Sequence, residues 1–114
     1  MNYSLPVEHP IFSSFIYKME QLYKKQLEQI ILFGSHAKGE ATAYSDVDLL
    51  LLLDQEEVNP YQEVPKITEE VFDLALEYNQ VLFYLPISTD RWKKEKSFFL
   101  DNIRKEGITI WMRE

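Results

Sequence analysis

Residues 31–54, ILFGSHAKGEATAYSDVDLLLLLD, decide how this chain is read. An apolar run ending at Phe33 breaks at Gly34-Ser35, a segment of small and polar residues follows, and a second apolar run opens on Asp46 and Asp48 before five consecutive leucines, Leu49 to Leu53. Side chains two apart on a strand point to the same face, so Asp46 and Asp48 project together while Val47 points the other way. Two carboxylates held this close raise one another's pKa unless a cation lies between them. Hard oxygen ligands in that arrangement suit Mg²⁺, which takes one or two carboxylates and leaves its other positions to water and substrate phosphates. Gly34 permits a turn that brings backbone N–H groups close to phosphate oxygens, and the hydroxyl of Ser35 adds a contact. The stretch therefore combines the parts needed to hold a nucleoside triphosphate with a divalent metal.

Outward from this hairpin the pattern is regular. From Pro10 to Lys25, Ile11, Phe12, Phe15, Ile16, Met19, Leu22 and Tyr23 recur at three- and four-residue steps, which predicts an amphipathic helix. Gln29 to Phe33 reads as a first strand, and Ser35 to Gly39 as one helical turn with Ser35 as its N-cap. Val47 to Leu53 reads as a second, central strand buried on both faces, with Leu50 and Leu52 continuing the aspartate face. Asp54 to Pro65, polar with two prolines, reads as a loop, and Pro65 as the first turn of a helix that ends near Asn79. Val81 to Ile87 is a third strand, which Pro86 places at an edge or marks as ending there. Ser88 or Thr89 caps a short helix through Lys96, Ser97 caps another over Phe98 to Glu106, and Ile108 to Met112 is a last strand. The order predicts an α+β domain: a small mixed sheet covered by helices on one side, built as a single domain over residues 1–114.

Bulk properties narrow the function. With 114 residues the chain is long enough for one core and too short for two. A net charge of −7 argues against a broad DNA or RNA surface, whose affinity comes from neutralising phosphates, but not against one nucleotide held through metal. No apolar run approaches a membrane span, and MNYSLPVEHP lacks the basic and apolar parts of a secretory leader. The chain has no cysteine, which excludes thiolate metal sites and fits the reducing cytoplasm expected for it.

Gly34-Ser35, ten intervening residues, then Asp46-Val47-Asp48 resemble the motif of the DNA polymerase β-like nucleotidyltransferases, and most closely their minimal single-domain branch. The likeness runs from the first helix to the ending NIRKEGITIW, residues 102–111. It implies a polymerase β-like fold and Mg²⁺-dependent transfer of a nucleotidyl group, usually AMP from ATP, to a hydroxyl or other acceptor. Many minimal members are antitoxins paired with HEPN-domain toxins, some of which they inactivate by adding AMP to a tyrosine. The resemblance assigns Asp46 and Asp48 as catalytic metal ligands and Gly34, Ser35, Lys38 and Ser45 to the nucleotide. His36 and Lys38 stand where the family often carries basic residues: Lys38 would pair with phosphate as a point charge, His36 would do so when protonated or else simply form hydrogen bonds, and Ser45 would cap a turn or hydrogen-bond the Asp48 carboxylate. Active members carry a third carboxylate on the strand after the long helix. Here residues 80–85 read QVLFYL, with no acid. The third acid would have to come from the acceptor protein or from a loop such as Asp54 to Glu57. Otherwise the protein would act as an inactive, nucleotidyltransferase-fold antitoxin that masks its partner, or as a nucleotide-binding protein.

Overall fold

The computed structural model describes residues 2–114. Helix α1 (Pro10–Tyr23) starts on a proline whose missing N–H would be unpaired there in any case, and the ring Nδ1 of His9 accepts from the Ile11 N–H at 3.1 Å to cap it. A 3₁₀ turn (Lys24–Gln26) leads into strand β1 (Leu27–Phe33), two residues earlier than the alternation of the sequence suggests. The short helix α2 (Gly34–Lys38) and a turn connect to strand β2 (Val47–Leu53). Helix α3 (Pro60–Tyr78), strand β3 (Leu82–Ser88), helices α4 (Thr89–Lys94) and α5 (Phe98–Glu106) and strand β4 (Ile108–Met112) complete the described residues.

The four strands form one mixed sheet in the order β3-β2-β1-β4. β1 lies antiparallel to both β2 and β4, and β2 runs parallel to β3 across the α3 crossover. The leucine run is thus central, and β3, with Pro86, is an edge, one of the two placements its proline allows.

Covering helices occur on both faces, not one. Val47, Leu49, Leu51 and Leu53 point to a core shared with Phe12, Phe15 and Met19 of α1 and Ile67, Val71 and Leu74 of α3. Leu50 and Leu52, on the aspartate face, pack with Ile31, Phe33 and Ile87 against Leu100 and Ile103 of α5. The apolar stripe of α5 says that one side of the helix is buried but not which face of the sheet it covers, which is why the second covered face was not read from the sequence. Each leucine withdrawn from water on these faces contributes roughly 1.5–3 kcal/mol.

Helix α3 begins more than a turn earlier than expected. Asn59 caps it by accepting from the Tyr61 N–H at 3.0 Å, and Pro60 takes the first position. Pro65 therefore lies inside the helix rather than at its start. The early start places Glu63 in the interior, where the Tyr23 hydroxyl donates to its carboxylate at 2.9 Å and Lys66 lies 3.4 Å away. Asn79, at φ 51°, ends the helix, as read. Ser88 and Ser97 cap α4 and α5 by accepting from Arg91 and Leu100 N–H groups, and α4 ends at Lys94, short of Lys96.

Candidate active site

The C-terminal end of β1 and the N-terminal end of β2 meet where Phe33 pairs with Asp48. Immediately after Phe33 the backbone turns through Gly34 at φ 75°, a left-handed conformation that other residues resist. A Cβ added to Gly34 would lie 2.1 Å from the Asp48 carboxylate oxygen Oδ2. Glycine is required here twice over, for its torsion and for the close approach of the carboxylate to the turn. The motif read from the sequence is thus one contiguous piece of surface.

Asp48 is half-buried and Asp46, just ahead of β2, is exposed. Withdrawal from water pushes the Asp48 carboxyl up to about 6, and the neighbouring charge of Asp46 pushes in the same direction. No cationic side chain and no hydrogen-bond donor of the protein offsets these two effects. A half-buried carboxylate destabilised in this way, open to solvent beside a second acid, is a donor set matched to a hard divalent cation. Among the described residues no cluster of three or more His, Cys, Asp or Glu gathers around such a position. The residue in register with Asp48 on β3 is Phe83, so the strand that would carry a further acid presents an aromatic ring on that face.

The other residues singled out by sequence separate into different roles. Ser35 is the second residue of α2 and not its cap. The cap position falls on Phe33, which has no capping side chain, and the first-turn N–H groups of α2 have no intrahelical partner. Gly39, at φ 73°, closes α2. Lys38 lines the same depression as Gly34 and is held between Glu106 at 3.8 Å and Glu40 at 3.9 Å. His36 is turned inward, 5% exposed, and its Nδ1 accepts from the Leu5 N–H at 3.0 Å. Burial lowers its pKa; the Ser45 carbonyl lies close enough to oppose that, yet Nε2 has no partner of hydrogen-bonding geometry. A buried imidazole pinning the N-terminal segment gives His36 the hydrogen-bonding role of the two read for it, not the phosphate one. Ser45 is committed to its own turn: its hydroxyl accepts from the Thr42 N–H at 2.9 Å and lies 3.3 Å from the Thr42 hydroxyl. It makes no bond to Asp48, so it shapes the approach to Asp46.

The loop Asp54 to Glu57 leaves the opposite end of β2, six residues beyond Asp48, or about 20 Å at 3.3 Å per residue. It cannot supply the missing acid. That loop lines a wider cleft of about 480 Å³ with Tyr61, Ser88 and Arg91, at the end of β2 away from Asp46 and Asp48.

Sequence reasoning missed the aromatic surroundings of the site. Phe33 meets Phe99 edge to face at 5.7 Å and Phe83 likewise at 6.4 Å. Phe83 and Phe99 are conspicuous as apolar residues in the sequence, but their meeting at Asp48 depends on strand order and on the docking of α5. The signal available was the odd-even phase of β3, which puts Phe83, Leu85 and Ile87 on one face.

Comparison with known proteins agrees with this geometry. The family model described as polymerase beta, nucleotidyltransferase matches residues 18–114. A protein of Methanocaldococcus jannaschii, provisionally named a protein adenylyltransferase, is 31% identical over 101 residues, covering 88% of this chain and 95% of the relative. A second protein of that organism, with the same provisional name, is 26% identical over 105 residues, covering 91% and 98%. Among solved structures, a toxin–antitoxin complex with AMP-PNP superposes with a TM-score of 0.61 at 18% identity, over 88% of this chain and 73% of that one. The structure of a tri-AMPylated Shewanella oneidensis HEPN toxin with its MNT antitoxin gives 0.52 at 16% identity, over 90% and 73%. At those identities the two structures speak for the fold, and the sequence relatives for descent. This chain belongs to the polymerase beta nucleotidyltransferase family.

Proposed function

We propose that the protein transfers AMP from ATP to a hydroxyl of a partner protein, a HEPN-type toxin, and so acts as its antitoxin. The observation that carries this reading is the half-buried Asp48 carboxylate, packed against the Gly34 turn and beside Asp46. Asp46 and Asp48 would hold Mg²⁺, which when bound neutralises charge on the triphosphate and the phosphorus under attack. The turn at Gly34 and Ser35 offers its N–H groups and the Ser35 hydroxyl to the outer phosphates. Lys38 supplies a point charge at the same edge once released from Glu40 and Glu106. The acceptor oxygen attacks the α-phosphorus, the bond from that phosphorus to the bridging oxygen breaks, and pyrophosphate leaves. With Phe83 facing Asp48, the acceptor proton passes to a base on the acceptor side.

The provisional names of the archaeal relatives support AMP as the group moved, and the toxin–antitoxin structures support a protein as the acceptor.

The test is incubation with ATP labelled at the α-phosphorus, Mg²⁺ and the product of the neighbouring gene. Label is expected on the partner, and none with Asp46→Asn plus Asp48→Asn. Label that persists in the double variant defeats the assignment. The Phe83 register favours a second reading, a non-transferring antitoxin that masks its toxin. It predicts a tight complex that both substitutions leave intact, with no label transferred.

A further inference from the structure

Helix α3 covers the sheet face opposite the one that carries Asp48, with Ile67, Val71 and Leu74 in the core. A helix on the surface of a domain buries one apolar stripe and solvates a polar one. The outer side of α3 carries a second apolar stripe instead. Tyr61, Pro65, Phe72 and Leu76 follow at steps of four, seven and four residues, so all four lie on one side of the helix. Tyr61 is 92%, Phe72 60% and Leu76 68% exposed, and Pro65 is exposed as well. Thr68 falls within the seven-residue step, and its hydroxyl is already engaged by the Val64 carbonyl and the Tyr84 hydroxyl.

Apolar side chains scattered singly on a surface need no explanation, whereas a contiguous row marks a place of contact. From Tyr61 to Leu76 the row runs about 22 Å at 1.5 Å per residue, four turns of helix. At its start Pro60, Tyr61, Val64 and Pro65 line a depression of about 290 Å³, room for one large apolar side chain. Pro65 also has no N–H to give the Tyr61 carbonyl one turn earlier, so that oxygen lacks its usual helical donor.

Charge decides what fits. Glu69, Asp73 and Glu77 stand four residues apart along one flank of the row, all exposed. The single basic residue of α3, Lys66, lies 3.4 Å from Glu63, and Lys18 of α1 lies 3.3 Å from Asp73. An apolar row bordered by acids matches a helix whose own apolar stripe is bordered by Lys or Arg. It does not match itself. In a two-fold antiparallel pair with a second copy, the acid row would lie against the same acids.

The geometry points to the outer side of α3 as a docking surface for a basic amphipathic helix of a partner protein, with one apolar side chain of that helix seated between Tyr61 and Pro65. The surface lies across the sheet from Asp48, so its occupant leaves the carboxylates open and binds whether or not a nucleotide is held there.

The experiment is isothermal titration of the full chain with a synthetic helical peptide of about 18 residues, leucine-striped and flanked by lysines, long enough to span the row. A twin peptide with glutamates in place of the lysines is the comparison. The parent protein binds the lysine peptide and not the glutamate peptide. Phe72→Ser with Leu76→Ser weakens that binding at least about tenfold, and urea unfolding reports that these exposed substitutions leave the fold intact. Glu69→Lys with Glu77→Lys reverses the preference to the glutamate peptide, and Asp46→Asn with Asp48→Asn changes nothing. Lysine-peptide binding at parental strength in the serine variant reports attraction to net charge alone and overturns the surface. So does a preference unaltered by the charge reversal, or a parent that binds neither peptide. Loss of binding in the asparagine variant overturns it too, by putting the peptide at the carboxylates. A parent that sediments as a dimer, dissolved by Phe72→Ser with Leu76→Ser, gives the row to a second copy instead.

Discussion

Replacing Asp48 with asparagine is expected to stabilise the metal-free protein. Its carboxyl titrates near 6 in the folded chain instead of 3.8, chiefly because burial removes it from water and then because Asp46 repels it. The folded state therefore binds more protons than the unfolded state between those values, and stability falls as pH rises from about 4 to about 6 and stays reduced above. A displacement of about two units corresponds to about 3 kcal/mol at 1.36 kcal/mol per unit. Asp48 retains contact with solvent, so screening brings the gain from Asp48→Asn to about 1–2 kcal/mol at pH 8. For a domain of this size that is a rise in melting temperature of roughly 5–10 °C. Urea unfolding of parent and variant at pH 8 and pH 4.5, with and without Mg²⁺, measures it. The gain shrinks at pH 4.5, where the parent carboxyl is largely protonated, and Mg²⁺ narrows it at pH 8 by stabilising the parent alone. Equal or lower stability of the variant at pH 8, or a gain that is the same at both pH values, refutes the reasoning.

Other changes should read out separate parts of the structure. Gly34→Ala forces a side chain into a left-handed turn and against Asp48 Oδ2, costing at least about 1–3 kcal/mol in urea unfolding and abolishing Mg-ATP binding in titration. Tyr23→Phe strips the buried Glu63 carboxylate of its 2.9 Å donor and costs about 1.5–3 kcal/mol, part of which returns when Glu63→Gln is added. Arg104 donates to the Glu95 carbonyl at 2.9 Å and to the Trp92 carbonyl while stacking 4.5 Å over the Trp92 ring. Arg104→Lys keeps the charge but loses the planar fork and is expected to cost about 1–2 kcal/mol, seen as a lowered unfolding midpoint.

The motif hairpin was legible in the sequence because each of its signals is local. The glycine's torsion, the two-residue carboxylate spacing and the leucine run are set by neighbours in the chain, and all three stand where they were read. The caps at Ser88 and Ser97 and the stop at Asn79 are local in the same sense. Helix α3 was read late because Pro65 and Pro60 are both good first-turn residues, and only the Asn59 cap decides between them. The alternatives read for His36 (phosphate or hydrogen bond) and for Ser45 (turn cap or Asp48) were left open for another reason. Each residue lies in the small-residue segment where the chain folds back, and its partners, Leu5 and Thr42, are fixed by tertiary contact and turn geometry. The second covered face, and with it the meeting of Phe33, Phe83 and Phe99 at Asp48, depends on where α5 docks, which no periodicity in nine residues determines.

A crystal structure of the protein grown with Mg²⁺ and a non-hydrolysable ATP analogue tests the assignment of the carboxylate pair most directly. The account predicts a cation bridging Asp46 and Asp48, with the triphosphate lying across the Gly34–Ser35 turn. An analogue seated in the distant cleft beside Tyr61 and Arg91, or aspartates turned apart with no cation between them, would contradict it.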